Sequence, residues 1–249
     1  MRRGYSGIET RNSNPNNPTG ATIPHAVLAE IVSFASQRNI TILCDEVFRP
    51  LFHSTAPDGN PPPPSIISFA GQYRNVIATS SVSKAFSLPG IRLGWTVSPN
   101  ADLIHQVTLA QDYTTISVSQ VDQEIAACAL HGPVRDAILQ RSLGICARNL
   151  ALLDRFVAAH ADRLRWVKPT GASSAFVCVL DRHTGRPVDD GVYCETLLRE
   201  SGLLIVPGGT SFGTEADDDF KGYLRVGFVC APDKFQTALA IWGEYLSRF

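Results

Sequence analysis

The sequence predicts an α/β fold followed by a small α+β domain, and three observations carry that prediction. Short apolar runs of the buried-strand kind, Ile40–Cys44 and Val76–Thr79, alternate with stretches of helical periodicity in the first half of the chain. Chemistry-bearing side chains stand where those runs end: Asp45 and Glu46 after the first, and Ser81, Ser83 and Lys84 after the second. Open α/β sheets place their ligands at such strand ends. After one long amphipathic stretch, Pro133–Arg163, the pattern changes to shorter strands and helices.

Taken in order, Ile8–Gly20 reads as a short strand ending in a cluster of turn formers, Asn-Pro-Asn-Asn-Pro-Thr-Gly, whose prolines and glycine fix the backbone around Asn17. A helix follows from Pro24 to about Asn39, with Thr22 as its expected cap. Ile40–Cys44 is almost wholly apolar, as in a parallel strand covered on both faces. His53–Pro64, with five prolines, reads as an irregular exposed loop. Strands are expected at Val76–Thr79 and Ile91–Val97, and helices at 101–112, 118–130 and 133–163, the last interrupted at most by Gly144. The second domain should contain strands within 166–181, 202–209 and 222–229, with helices over 192–200 and 232–246.

With 249 residues and 44% hydrophobic content, the chain can build one large core or two small ones. A formal charge of -1 provides no basic field for nucleic acid or an anionic membrane. Cys44, Cys128, Cys146, Cys178, Cys194 and Cys230 are scattered, without Cys-x-x-Cys or His/Cys ligand spacing. They read as buried thiols of a reducing compartment, with no disulfide and no metal site. No apolar signal region follows Met1–Tyr5 and no run reaches the length of a membrane span, so the cytoplasm is the expected location.

Lys84 is one of four lysines, and Arg92 follows it eight residues later between Gly90 and Gly94. A lysine whose amine is partly deprotonated forms a Schiff base with an aldehyde. Hydroxyls and an arginine in the same turn suit a phosphate, Arg92 by its charge-assisted fork. Pyridoxal phosphate is the aldehyde that would use the whole cluster. Asp45 would then pair with its protonated ring nitrogen and keep the ring an electron sink. An ordinary strand-to-loop corner with a solvated Lys84 is the plainer reading, and for Glu46 a structural role is expected.

Four features stand in fixed order: Asn17 in Asn-Pro-Asn-Asn-Pro-Thr-Gly, Asp45 in Asp-Glu-Val-Phe, Lys84 in Ser-Val-Ser-Lys, and Arg225 in Tyr-Leu-Arg-Val-Gly-Phe. Over nearly its whole length the chain resembles the class I/II aminotransferases, pyridoxal-phosphate enzymes built like aspartate aminotransferase. The resemblance implies a partial large, cofactor-binding domain over 1–140, with a mostly parallel sheet covered by helices, and a small α+β C-terminal domain over 141–249. It implies pyridoxal 5'-phosphate as cofactor, with Lys84 as Schiff-base lysine and general base. Asp45 would be the pyridinium partner, Asn17 the ligand of the phenolic oxygen, and Ser81, Ser83 and Arg92 the phosphate ligands. Arg225, with Asn17, would bind the substrate, the arginine clamping its α-carboxylate. No residue is implied as a metal ligand. The substrates would be an amino acid and a 2-oxo acid, and the expected assembly is a homodimer if the family's N-terminal segment is supplied or dispensable.

Two departures accompany the resemblance. Phe48 stands where the family has a tyrosine, removing one hydroxyl from the phenolic oxygen, so slower exchange is expected. The chain also begins almost at the asparagine motif. A Gly-rich phosphate turn, a stacking aromatic and a tyrosine lent across the dimer therefore have no counterpart, and both sheet edges would be unpaired. A partial gene product, half of a split enzyme and a degenerate paralogue are the competing expectations.

Other functions compete with transamination. Related folds perform elimination, racemisation or cyclisation with the same four residues. A weakly active or inactive chain could serve as a binding or assembly subunit. Ser81–Lys84 also satisfies Ser-x-x-Lys of serine acyl-transfer enzymes, with Tyr73–Asn75 and His183–Gly185 resembling their further motifs, but the order is wrong and the serine follows a strand. No Walker or dinucleotide fingerprint is present, and Gly208–Gly213 reads only as a glycine-rich turn.

Overall fold

The computed structural model describes residues 9–53, 61–213 and 220–248. Of the loop expected over 53–64, residues 54–60 lie outside these, and 61–64 adopt no regular structure. The chain forms two compact units, one of residues 9–16 and 22–142, the other of 17–21 and 143–248.

The first unit is built on a four-stranded sheet in the order β1 (Glu9–Ser13), β2 (Thr41–Asp45), β3 (Val76–Ser81), β4 (Gly94–Val97). The first three strands are parallel and β4 is antiparallel to β3. Helix α1 (His25–Arg38) places Leu28, Val32 and Ala35 at helical spacing, and they pack with Ile42, Cys44, Val76 and Ala78 into one core. Its cap differs from expectation. Pro24 occupies the N-cap in extended backbone and, lacking a side-chain acceptor, makes no cap bond; before it, Ile23 N–H donates to Asn14 Oδ1 at 3.0 Å. At the other end Asn39 turns left-handed (φ 52°), a conformation asparagine tolerates, and donates its N–H to Ala35 and Ser36.

Among the described residues the two faces of β2 are unequally covered. Ile42 and Cys44 are buried beneath α1, but Leu43, like Ile77 in β3, points to the opposite face and is only half-buried. β4 is also shorter than the predicted Ile91–Val97, since Pro89–Ile91 form a 3-10 turn and Arg92 is left-handed (φ 55°). Helices α2 (Ala101–Asp112) and α3 (Gln120–Leu130) follow, capped by the side chains of Asn100 and Ser119.

Helix α4 (Gly132–Ala159) is continuous through Gly144, and the boundary between the units falls inside it. In the second unit the sheet order is β5 (Leu164–Trp166), β6 (Ser174–Val179), β8 (Tyr223–Gly227), β7 (Val206–Pro207), all antiparallel. Ala175, Val177 and Val179 of β6 and Leu224 and Val226 of β8 enter a core with Leu150 and Leu153 of α4. Helices α5 (Asp190–Ser201) and α7 (Pro232–Arg248) close it, and Trp242 Nε1 donates to the buried Tyr193 hydroxyl at 2.9 Å. The glycine-rich turn instead forms the short helix α6 (Gly208–Phe212), and the strand expected over 202–209 shrinks to Val206–Pro207. Pro207 has no N–H to extend a ladder.

All six cysteines are free, but only Cys44, Cys146, Cys178 and Cys194 are buried; Cys128 and Cys230 are exposed, contrary to expectation. Among the described residues no helix is long and apolar enough to cross a membrane, and no group of His, Cys, Asp and Glu could hold a metal ion.

Residues 17–21 are locked into the second unit by Gly20. Its carbonyl accepts from Thr170 and Gly171 N–H at 3.0 and 2.8 Å, and its φ is +68°. A Cβ there would fall 2.5 Å from the Pro169 Cβ and 2.6 Å from the Ser174 carbonyl. Gly20→Ala is therefore expected to destabilise this unit by about 2 kcal/mol or more, read as a lower midpoint in urea.

Burial pushes the Cys44 and Cys194 thiols up to about 12 and that of Cys146 to about 11, with the charges of Glu46 and Asp45 adding to the effect at Cys44. Unfolded thiols ionise near 9, so from that pH upward the unfolded state binds fewer protons than the folded one. Their contribution is complete below pH 9 and is lost as pH rises toward 11–12. Urea titrations from pH 8 to 11 should show stability falling with pH, and Cys44→Ala should flatten the slope.

Candidate active site

The parallel register puts the ends of three strands in one row. Ser13 of β1 lies opposite Asp45 of β2, which lies opposite Thr79 of β3. Beyond that row β1 passes into the asparagine–proline segment and β3 into the serine–lysine turn. The peptide groups continue the alignment: Asn14 N–H donates to the Asp45 carbonyl and Glu46 N–H to that of Thr79, at 2.9 and 2.8 Å.

The turn that carries Lys84 is pinned by its apolar neighbours. Val82 and Ala85 are wholly buried and Phe86 nearly so, which leaves Lys84 between them on the exposed side. Val82 N–H donates to the Leu93 carbonyl at 3.2 Å, and Leu88 N–H to that of Val82 at 3.1 Å, so the loop is closed by its own backbone. The Lys84 amine makes no hydrogen bond or ion pair among the described residues.

Ser81 Oγ accepts the Ser83 N–H at 3.1 Å, leaving both hydroxyl protons available. The exposed Arg92 reaches its shape through the left-handed backbone and spends one N–H on the Pro89 carbonyl at 2.9 Å. Beside it, along β4, runs a groove of about 790 Å³ lined also by Thr79, Trp95 and Thr96. Gly94 is required here: a Cβ would sit 2.8 Å from the Ser80 carbonyl.

Asp45 is exposed, and one of its oxygens accepts the Val47 N–H at 2.9 Å. The adjacent Glu46 behaves differently. It is buried and accepts from Ser65 Oγ (3.0 Å) and Ile66 N–H (2.8 Å), with Arg49 Nε at 3.5 Å. Glu46 thus binds the segment after the proline run to the end of β2, a structural role. Phe48 is buried.

Asn17 and Arg225 belong to the other unit. The arginine stands on β8, and its NH1 donates to Asn17 Oδ1 at 3.4 Å. β8 alternates strictly: Leu224 and Val226 enter the core, while Tyr223 and Arg225 share the opposite face with Phe176 of β6. The structure therefore groups Asp45, Ser81, Ser83, Lys84 and Arg92 in one unit and Asn17 with Arg225 in the other. Sequence reasoning missed Asn14, which is buried and whose amide oxygen and backbone N–H tie the end of β1 to the α1 approach and to β2. Its only signal was a second Asn-Pro pair beside the one that drew attention to Asn17.

A family model described as aminotransferase class I and II matches residues 12–241. The chain belongs to this family. Among class I and II aminotransferases and their relatives, the chain is 30% identical to capreomycidine synthase of Streptomyces vinaceus over 93% of its own length and 54% of that protein's. It is 31% identical to valine–pyruvate aminotransferase of Mycobacterium tuberculosis, over 94% and 56%. A pyridoxal-phosphate-dependent aminotransferase from Streptococcus suis superposes with a TM-score of 0.80 at 33% identity, covering 97% of this chain and 57% of that one. The chain thus spans about half the length of the curated relatives it matches. Proteins of the family use pyridoxal 5'-phosphate.

The donor set of the first unit fits that cofactor. Two hydroxyls and a guanidinium suit its phosphate, a carboxylate suits a protonated ring nitrogen, and an unpaired amine suits an aldehyde. Ser81 lies at a strand end rather than a helix start, which removes the geometric basis of the acyl-transfer reading.

Glu46→Ala would leave the Ser65 hydroxyl and Ile66 N–H without an acceptor in a buried setting. A loss of about 2–3 kcal/mol is expected from denaturant unfolding, with a smaller loss for Glu46→Gln, which keeps one oxygen.

Proposed function

We propose that this chain binds pyridoxal 5'-phosphate through the unit carrying Lys84 and serves transamination between an amino acid and a 2-oxo acid. The observation that carries the reading is the aligned ends of β1–β3, which set Asp45 and the Ser81–Lys84 turn on one edge of one sheet. In this reading residues 1–140 act as the cofactor-binding domain and 141–249 as the small domain.

Pyridoxal phosphate, when bound, supplies an aldehyde for the amino group and a ring that delocalises charge from the substrate α-carbon. The chain's own residues bind, orient and move protons. Arg92 and the Ser81 and Ser83 hydroxyls hold the phosphate, with the planar fork of the arginine matching its oxygens. Asp45 keeps the proton on the ring nitrogen, and Asn17 hydrogen-bonds the phenolic oxygen. Lys84 moves the proton at the substrate α-carbon as general base and acid. Arg225, with Asn17, orients the substrate carboxylate. A cytoplasmic setting, supported by six free thiols, and a homodimer belong to the same proposal.

The similarity to a protein named a synthase favours a second reading: elimination, racemisation or cyclisation by the same residues. Phe48 in place of a tyrosine favours a third, a weakly active subunit. The three differ in whether an added 2-oxo acid is consumed.

Titration with pyridoxal phosphate should produce a shifted absorbance band, and borohydride reduction with peptide mapping should fix the label on Lys84. Lys84→Ala should abolish the band and Arg92→Lys should weaken affinity about tenfold. No band, or label spread over Lys168, Lys221 and Lys234, would overturn the reading for this chain.

A further inference from the structure

Asp190, the first residue of α5, is a buried carboxylate whose oxygens accept from two peptide N–H groups far apart in the chain. Gly209 N–H donates to Oδ2 at 2.8 Å and Gly222 N–H to Oδ1 at 3.1 Å. Sterics require glycine at 222 and favour it at 209. A Cβ at Gly209 would fall 3.1 Å from the Asp190 carboxylate, and Gly222 has φ +76° with Pro187 Cβ 2.7 Å from where its own would be.

These glycines bracket the connection that leads into β8. Gly209 lies in α6, which carries Phe212; Gly222 immediately precedes β8, which carries Arg225. The Arg225 guanidinium lies 5.4 Å from the Phe212 ring centre. Phe212 meets Phe176 edge-on at 5.9 Å, and Phe220 meets Phe176 edge-on at 5.4 Å. One carboxylate thus bonds both α6, whose Phe212 ring lies near the Arg225 guanidinium, and the residue that leads into β8.

We propose that Asp190 is a positioning residue for Arg225, fixing the aromatic frame in which the guanidinium receives a substrate carboxylate. The inference rests on the carboxylate-binding role given to Arg225 above. Charge-assisted bonds from two backbone amides give it more stiffness than either loop has alone. Asp190→Asn can accept only one of the two N–H groups and turns an NH2 toward the other.

The test compares this chain with its Asp190→Asn and Gly209→Ala variants, the latter a milder disturbance of the same contact. Amide exchange should rise at 208–212 and 222–227 while α4 and α7 keep their protection. Pyruvate, as the carboxylate probe, should bind about tenfold more weakly by calorimetry. Its KM should rise with little change in kcat, and the pyridoxal phosphate titration should be unchanged. Wild-type pyruvate affinity in both variants, or exchange rising equally across α4 and α7, would overturn the proposal. If the wild-type chain itself takes no pyruvate, the functional reading fails. The rate at which phenylglyoxal modifies Arg225 then decides on Asp190: faster modification in both variants supports the proposal, and an unchanged rate overturns it.

Discussion

Parallel pairing of β1, β2 and β3 is the constraint on which the candidate site in the first unit depends. In a parallel ladder every strand ends on the same side, so the residues that follow three separate strands emerge along one edge. Asp45 and the turn of Lys84 are 39 residues apart along the chain but follow strands paired Ile42 to Val76 and Asp45 to Thr79. A slip of one residue would send Asp45 to the opposite face and bury a charge beneath α1. The apolar residues Ile42, Cys44, Val76 and Ala78 fix the register, because only one setting buries all four.

The second unit solves a related problem with antiparallel strands. Its core residues on β8 are Leu224 and Val226, and the arginine between them is forced to the other face by the period of the strand. Burial thus orients a charged side chain that makes no apolar contribution itself. In the first unit Val82, Ala85 and Phe86 do the same for Lys84 across a turn.

What could be read from the sequence follows the range of the interactions. The strands β2 and β3 and the helices α2, α3 and α7 are set by local periodicity, and the sequence places them within a few residues. The candidates Lys84, Asp45, Asn17 and Arg225 stand in short contiguous motifs, which is why a sequence alone can single them out. β5 was missed because Leu164–Arg165–Trp166 is three residues long and abuts a helical pattern that reads on to Arg163. Asp190 was illegible for another reason: its two donors lie 19 and 32 residues away, and no local pattern links them. The half-open face of β2 is likewise a tertiary outcome that an apolar run cannot reveal.

The segment Asn17–Ala21 has a consequence for how the protein comes to be folded. It is made before the rest of the second unit, where the Ser174 hydroxyl donates to the Pro18 carbonyl across 156 residues of chain. Closing so long a loop delays the reward for ordering either end. On the ribosome the second unit therefore cannot be completed until β6 has emerged. Until then Gly20 waits without the backbone it is shaped to meet, and the first unit must assemble around a connection whose final anchor has yet to be synthesised.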